Sequence, residues 1–295
     1  MTSSSSHHGI VVGVDGSPQS KAAVEWAARE AAMLGSRLTL VHVLIDPTIS
    51  AWVDAPVSED YWRRAKQRAQ DLLEEANRIA REALPIGSTI TVDQELATGR
   101  PQSELEDLSK DADRIVVGSR GLGGVQRVML GSVSSSLAHH AHCPVVVVHE
   151  ADSLKDHSVH APVVVGIDGS QASERAVEIA FDEASRRGVD LIALHTWLTS
   201  TDDFIGVGWP EVRAQADETL AERLAGWQER YPDVVVRRVV KMDNPARELL
   251  LLAESAQLVV VGSHGRGGIA GLILGSVSSV VVQSARIPVI VARQF

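Results

Sequence analysis

The chain has 295 residues, long enough for two domains of ordinary size. An apolar fraction of 44% suits a packed core and argues against disorder. Acidic residues outnumber basic ones by 38 to 28, giving a net charge of -10 that speaks against a nucleic-acid partner. The single cysteine, Cys143, cannot form an internal disulfide, which points to a reducing compartment. No apolar run reaches membrane-spanning length, so a cytoplasmic protein without a membrane partner is expected. Residues 1–8 read as a flexible tail.

In chain order, short Val/Ile runs too brief for helices read as strands buried on both faces. They are Ile10–Val14, Leu38–Val43, Thr89–Glu95, Arg114–Val117 and Pro144–His149. Helices are expected between them, over Pro18–Leu34, Tyr61–Ala83, Arg100–Lys110 and Val133–Ala141. The first carries a Ser17 cap and a proline in its first turn. Strands alternating with helices imply crossovers and a doubly wound α/β domain with a parallel sheet.

The pattern occurs twice. Gly9–Ser17 (GIVVGVDGS) returns as Pro162–Ser170 (PVVVGIDGS), Leu38–His42 as Leu191–His195, and Ile115–Ser119 as Val259–Ser263. Leu130–Ser135 returns as Leu274–Ser279, and Cys143–Val148 as Ile287–Ala292. The expected organisation is therefore a first domain over 9–150, a polar linker over 151–161 and a second domain over 162–295.

Gly118, Gly121 and Gly131-Ser132 form G-x₂-G-x₉-G-S, and Gly262, Gly265 and Gly275-Ser276 repeat it. In each copy the first glycine follows the fourth strand and Gly-Ser opens a helix. Exposed N–H groups at a helix start, with the positive end of its dipole, make an anion site. Ser132 and Ser134, and Ser276 and Ser278, can add hydroxyl donors. Asp15 and Asp168 close the first strand of each copy, the end at which doubly wound sheets bind ligands. A carboxylate there can hold a ribose hydroxyl or a magnesium ion on phosphates. No glycine is followed by lysine, so the Walker lysine and its hydrolytic machinery are absent.

At these residues the chain resembles the universal stress protein family in its tandem two-domain form. The resemblance runs from Ile10 to Ala292, and the intact Gly-rich motif is that of the ATP-binding branch. It implies a five-stranded parallel sheet of order 3-2-1-4-5, with ATP in the crevice between strands one and four. By matching position, Gly13, Asp15, Val43, Val117, Gly118, Arg120, Gly121, Arg127, Gly131, Ser132, Val133 and Ser134 would contact the nucleotide. In the second copy Gly166, Asp168, Val261, Gly262, His264, Gly265, Gly275, Ser276, Val277 and Ser278 would do so. Asp15 and Asp168 are the candidates for magnesium carried in with ATP.

Arg120 becomes His264 and Arg127 aligns with Gly271, so the first copy is expected to bind ATP more tightly. The family resemblance further implies a regulatory or sensor protein for stress or growth arrest, acting through an unidentified protein partner. A slow ATPase or phosphotransferase is the enzyme-class alternative. It also implies that the two copies pack as an internal pseudo-dimer, with a homodimer of whole chains a further expectation.

His139, His140, His142 and Cys143 have metal-ligand character, but they fall at a helix end and the second copy replaces them, so a structural reading is preferred. For His42 and His195 a base contact and a satisfied core role both stay open.

Overall fold

The computed structural model describes residues 7–45, 58–121, 130–149, 160–197, 209–265 and 274–293. The chain divides into two compact units, Met1–Ala151 and Asp152–Gln294. In the first, β1 (Gly9–Gly13), β2 (Leu38–Leu44), β3 (Val92–Thr98), β4 (Ala112–Gly118) and β5 (Val145–Val148) pair in the order β3-β2-β1-β4-β5. All four pairings are parallel. The connecting helices are α1 (Pro18–Leu34), α2 (Glu59–Ala83), α3 (Pro101–Leu108, followed by a 3-10 turn) and α4 (Ser132–His140).

The second unit repeats this plan with β6 (Val163–Gly166), β7 (Leu191–Thr196), β8 (Val236–Lys241), β9 (Leu258–Gly262) and β10 (Val289–Ala292), in the order β8-β7-β6-β9-β10 and again all parallel. Its helices are α5 (Gln171–Arg187), α6 (Trp209–Arg230), α7 (Pro245–Ala253) and α8 (Ser276–Ser284). Each unit is thus a doubly wound α/β domain with strand order 3-2-1-4-5.

Local chemistry sets the element ends. Ser17 caps α1 by accepting the N–H of Ser20 at 3.2 Å, and Pro18 supplies a preset φ at the first helical position. Gly35 ends α1 in the left-handed conformation, φ 63°, which alanine would adopt at a cost. Strands β1 and β5 and the Arg114–Val117 stretch of β4 are buried almost throughout, as a sheet covered on both faces requires. Helices α1 and α5 bury small residues such as Ala23, Ala27 and Ala180 against the sheet, which lets helix and strand approach closely.

Several element bounds shift by a few residues, and two of the shifts have a visible cause. The third strand runs over Val92–Thr98 and not Thr89–Glu95, because its register is set by pairing Leu38 with Val92 and Leu44 with Thr98. It is an edge strand with polar residues on both faces, so it lacks the apolar run that marks the others. Helix α2 begins at Glu59, two residues before Tyr61, because Ser58 caps it and Glu59 and Asp60 favour its first turn.

Candidate functional site

In a 3-2-1-4-5 sheet the winding reverses between strands one and four, and the crevice opens at their carboxyl ends. In the first domain Asp15 and the Gly-rich loop meet there. The Oδ1 atom of Asp15 accepts the N–H of Ser17 at 2.9 Å, closing an Asx turn. Its other oxygen, Oδ2, abuts Gly121, where any Cβ would overlap it. The second domain repeats both contacts: Asp168 Oδ1 accepts from Ser170 N–H at 2.9 Å, and a Cβ on Gly265 would lie 2.6 Å from Asp168 Oδ2. One carboxylate oxygen is therefore fixed by its own turn and the other faces the Gly-rich loop.

The serine after each Asp-Gly does double work. The Ser17 hydroxyl caps α1 and donates to the Arg120 carbonyl at 3.4 Å. Ser170 caps α5 and donates to the His264 carbonyl at 3.3 Å. These serines tie the first-strand turn to the fourth-strand loop. They were not among the expected site residues, although the repeated Asp-Gly-Ser triplet carried the signal.

The histidines resolve in the same way in both domains. His42 Nδ1–H donates to the Val14 carbonyl at 2.6 Å, and His195 Nδ1–H to that of Ile167 at 2.7 Å. Each clips the end of the second strand to the turn that carries the aspartate.

The motif residues separate into two groups. Gly118 and Gly262 pack against a helix: a Cβ on Gly118 would lie 2.8 Å from the Gln19 carbonyl carbon, and one on Gly262 would lie 2.9 Å from that of Ala172. Ser134 and Ser278 are buried, and their hydroxyls donate to the carbonyls of Gly118 and Gly262 at 2.7 and 2.6 Å. Those protons close the loop, so in this arrangement neither hydroxyl donates into the crevice. Gly13 and Gly166 face Leu105 and Leu249, while Val43, Val117 and Val261 are buried at strand ends.

The second group opens outward. The Gly131 N–H donates to Ser119 carbonyl, and the Gly275 N–H to that of Ser263, both at 2.8 Å, and each glycine starts a helix. Neither α4 nor α8 has a side-chain cap, in contrast to α1 and α5. Ser132 and Ser276 sit exposed at the first helical position, with Val133 and Val277 half-buried behind them. An uncapped helix start presents three N–H donors and a partial positive charge.

Arg120 is half-buried beside this opening, and His264, its counterpart, shares a hydrogen bond with Ser263 Oγ at 3.0 Å. Arg127 and Gly271 lie outside the described residues.

Among the described residues no group of three or more His, Cys, Asp or Glu could hold a metal ion. His139 and His140 instead donate from Nδ1 to the carbonyls of Ser135 and Ser136, one turn back in α4. Cys143 is buried, and that burial pushes its thiol up to about 12. The thiolate is the reactive form. At pH 8, reaction with a disulfide reagent is expected to run slower in the folded chain than in denaturant by on the order of a thousandfold. Equal rates in a stopped-flow assay would contradict this.

Comparison with known proteins follows the same outline. The universal stress protein family matches residues 7–149 and 161–293, once per domain. A universal stress protein of Mycobacterium tuberculosis is 48% identical over 295 residues, covering 100% of this chain and 99% of the relative. One of Mycolicibacterium smegmatis is 50% identical over 294 residues, covering 99% of each. The crystal structure of a universal stress protein from Archaeoglobus fulgidus shares the fold, with a TM-score of 0.73 at 22% identity, over 98% of this chain and 99% of that one. Among the described residues no helix is long and apolar enough to cross a membrane. Two domains, each matched by the same family, and full-length relatives at half identity place this chain in the universal stress protein family.

Proposed function

We propose that each domain retains an adenine nucleotide, ATP, and that occupancy of the two sites is what the protein signals in stress or growth arrest. The observation that carries this reading is the uncapped start of α4 and α8 behind Gly-Ser, set at the strand reversal beside the second oxygen of Asp15 or Asp168. Phosphates would lie on the N–H groups of Ser132–Ser134 and Ser276–Ser278, where the helix dipole favours negative charge. Asp15 Oδ2 and Asp168 Oδ2 would take a ribose hydroxyl, or a magnesium ion whose other ligands are phosphate and water oxygens. Glycine at 121 and 265 leaves room for that oxygen to face the ligand.

The reading is regulatory because the described residues of the site offer positioning groups and, among them, no activated nucleophile or paired base. ATP held in the cytoplasm this way would be read by a separate protein that distinguishes filled from empty domains. Heating protein purified from cells and identifying the released small molecule by mass tests the reading. Adenine nucleotide at one to two equivalents per chain is the expected result. Protein that carries none and does not bind added ATP would overturn it. Phosphate release in many turnovers would move the assignment to a hydrolase.

A further inference from the structure

The two domains cover the same turn with different side chains. The glycine after each strand-end aspartate has positive φ, +83° at Gly16 and +79° at Gly169, a conformation that glycine adopts without strain. In the first domain Leu72 of α2 lies over this turn, with its Cδ2 atom 2.6 Å from where a Gly16 Cβ would stand. In the second, Arg223 of α6 lies there, with Cζ and Nη2 at 2.7 and 2.8 Å from the corresponding point on Gly169. The positions are equivalent, because the next residues, Leu73 and Leu224, are both buried in their domain cores.

Arg223 is exposed and has no hydrogen-bond or carboxylate partner among the described residues. Other arginines of the domain, such as Arg186, Arg187, Arg238 and Arg247, form ion pairs. The crevice beneath the guanidinium, bounded by Ile167, His195, Thr219 and Leu220, has about 20 Å³ of space, enough for a single water. A ligand would therefore meet Arg223 from its solvent side, one residue from Asp168.

Elsewhere in doubly wound nucleotide sites a carboxylate serves the ribose 2′-hydroxyl, whereas a nearby arginine accommodates a phosphate on that hydroxyl, and Asp168 with Arg223 offers the same two groups at the end of β6. A guanidinium presents two parallel N–H donors to such a group, a fit that leucine cannot offer. We infer that the second domain selects a nucleotide bearing an extra phosphate on its ribose 2′- or 3′-hydroxyl, with Arg223 as the specificity residue, while the first domain takes the unmodified ribose. This rests on the nucleotide reading above.

The test is calorimetric titration of the full chain with ATP, AMP, adenosine 3′,5′-bisphosphate and adenosine 2′,5′-bisphosphate. One site is expected to take one of the bisphosphates about tenfold more tightly than AMP, the effect of a charged hydrogen-bonded pair. Arg223→Leu should abolish that preference, bringing bisphosphate affinity at that site down to that of AMP. Leu72→Arg should create the preference at the other site. If ATP binds but neither bisphosphate exceeds AMP, or the preference survives Arg223→Leu, the inference fails while the nucleotide reading stands. If no nucleotide binds, both fail.

Discussion

Arg114→Ala is expected to cost the first domain about 3–5 kcal/mol, the effect of stranding a buried charge. Arg114 on β4 donates from Nη1 to Glu30 Oε1 on α1 at 2.6 Å, and the two side chains are only 10% and 1% exposed. The pair is weak evidence of net stabilisation, since desolvating both ions opposes their attraction. Removing one partner is a different matter, because the buried Glu30 carboxylate then loses the cation that offsets its desolvation.

The second domain indicates how to rescue it. Glu183, at the position of Glu30, is equally buried but takes its guanidinium from Arg187, four residues on in the same helix. Residue 34 occupies that place in α1 and is leucine. Adding Leu34→Arg to Arg114→Ala should restore most of the lost stability, by giving the buried Glu30 carboxylate a cation again. Differential scanning calorimetry of the full chain would resolve the first-domain transition. An unchanged transition in Arg114→Ala, or no rescue by the second substitution, would contradict the account.

Gly118→Ala is expected to destabilise the same domain by about 1–3 kcal/mol, the usual penalty for overpacking. Its Cβ would lie 2.8 Å from Gln19 C and 2.9 Å from Ser20 N, in the first turn of α1. Those are backbone atoms held by the Ser17 cap, so they cannot swing aside as a side chain can. Gly262→Ala faces Ala172 and Ser173 at 2.9 to 3.1 Å and should behave alike. Gly226→Ala in α6, with nothing within 4 Å, should instead stabilise by about 0.5–1 kcal/mol through helix propensity. Urea unfolding of the three variants checks the contrast, and a neutral Gly118→Ala would show that α1 can yield.

Much of this fold was readable before the structure because its signals are local. Ser17 with Pro18, the buried Val runs and the repeat itself placed most helices and strands. β3 was misplaced because an edge strand carries no apolar run and takes its register from a neighbour. The candidate site could be listed residue by residue before the structure, but not as a division of labour. Glycine in a motif signals close approach without saying to what: for Gly118 it is a helix, whereas for Gly121 it is the Asp15 carboxylate. Likewise a serine reads as a donor until its proton is seen to be spent, as at Ser134. Arg223 lay hidden in a charge-rich helix, since only the packing of α6 reveals which of its side chains reaches Gly169.

The central claim is that phosphates rest on the open starts of α4 and α8. The most direct measurement is ATP titration of the full chain carrying Ser132→Asp and Ser276→Asp, alongside its thermal unfolding. Both serines are exposed at the first helical position, where aspartate suits the dipole and should add about 0.3–1 kcal/mol per helix. The same carboxylates would repel a bound phosphate. The account therefore predicts opposite signs: an unchanged or raised unfolding temperature, with ATP affinity reduced at least about tenfold, as expected when a charge-assisted contact turns repulsive. ATP affinity equal to that of the parent protein would contradict it.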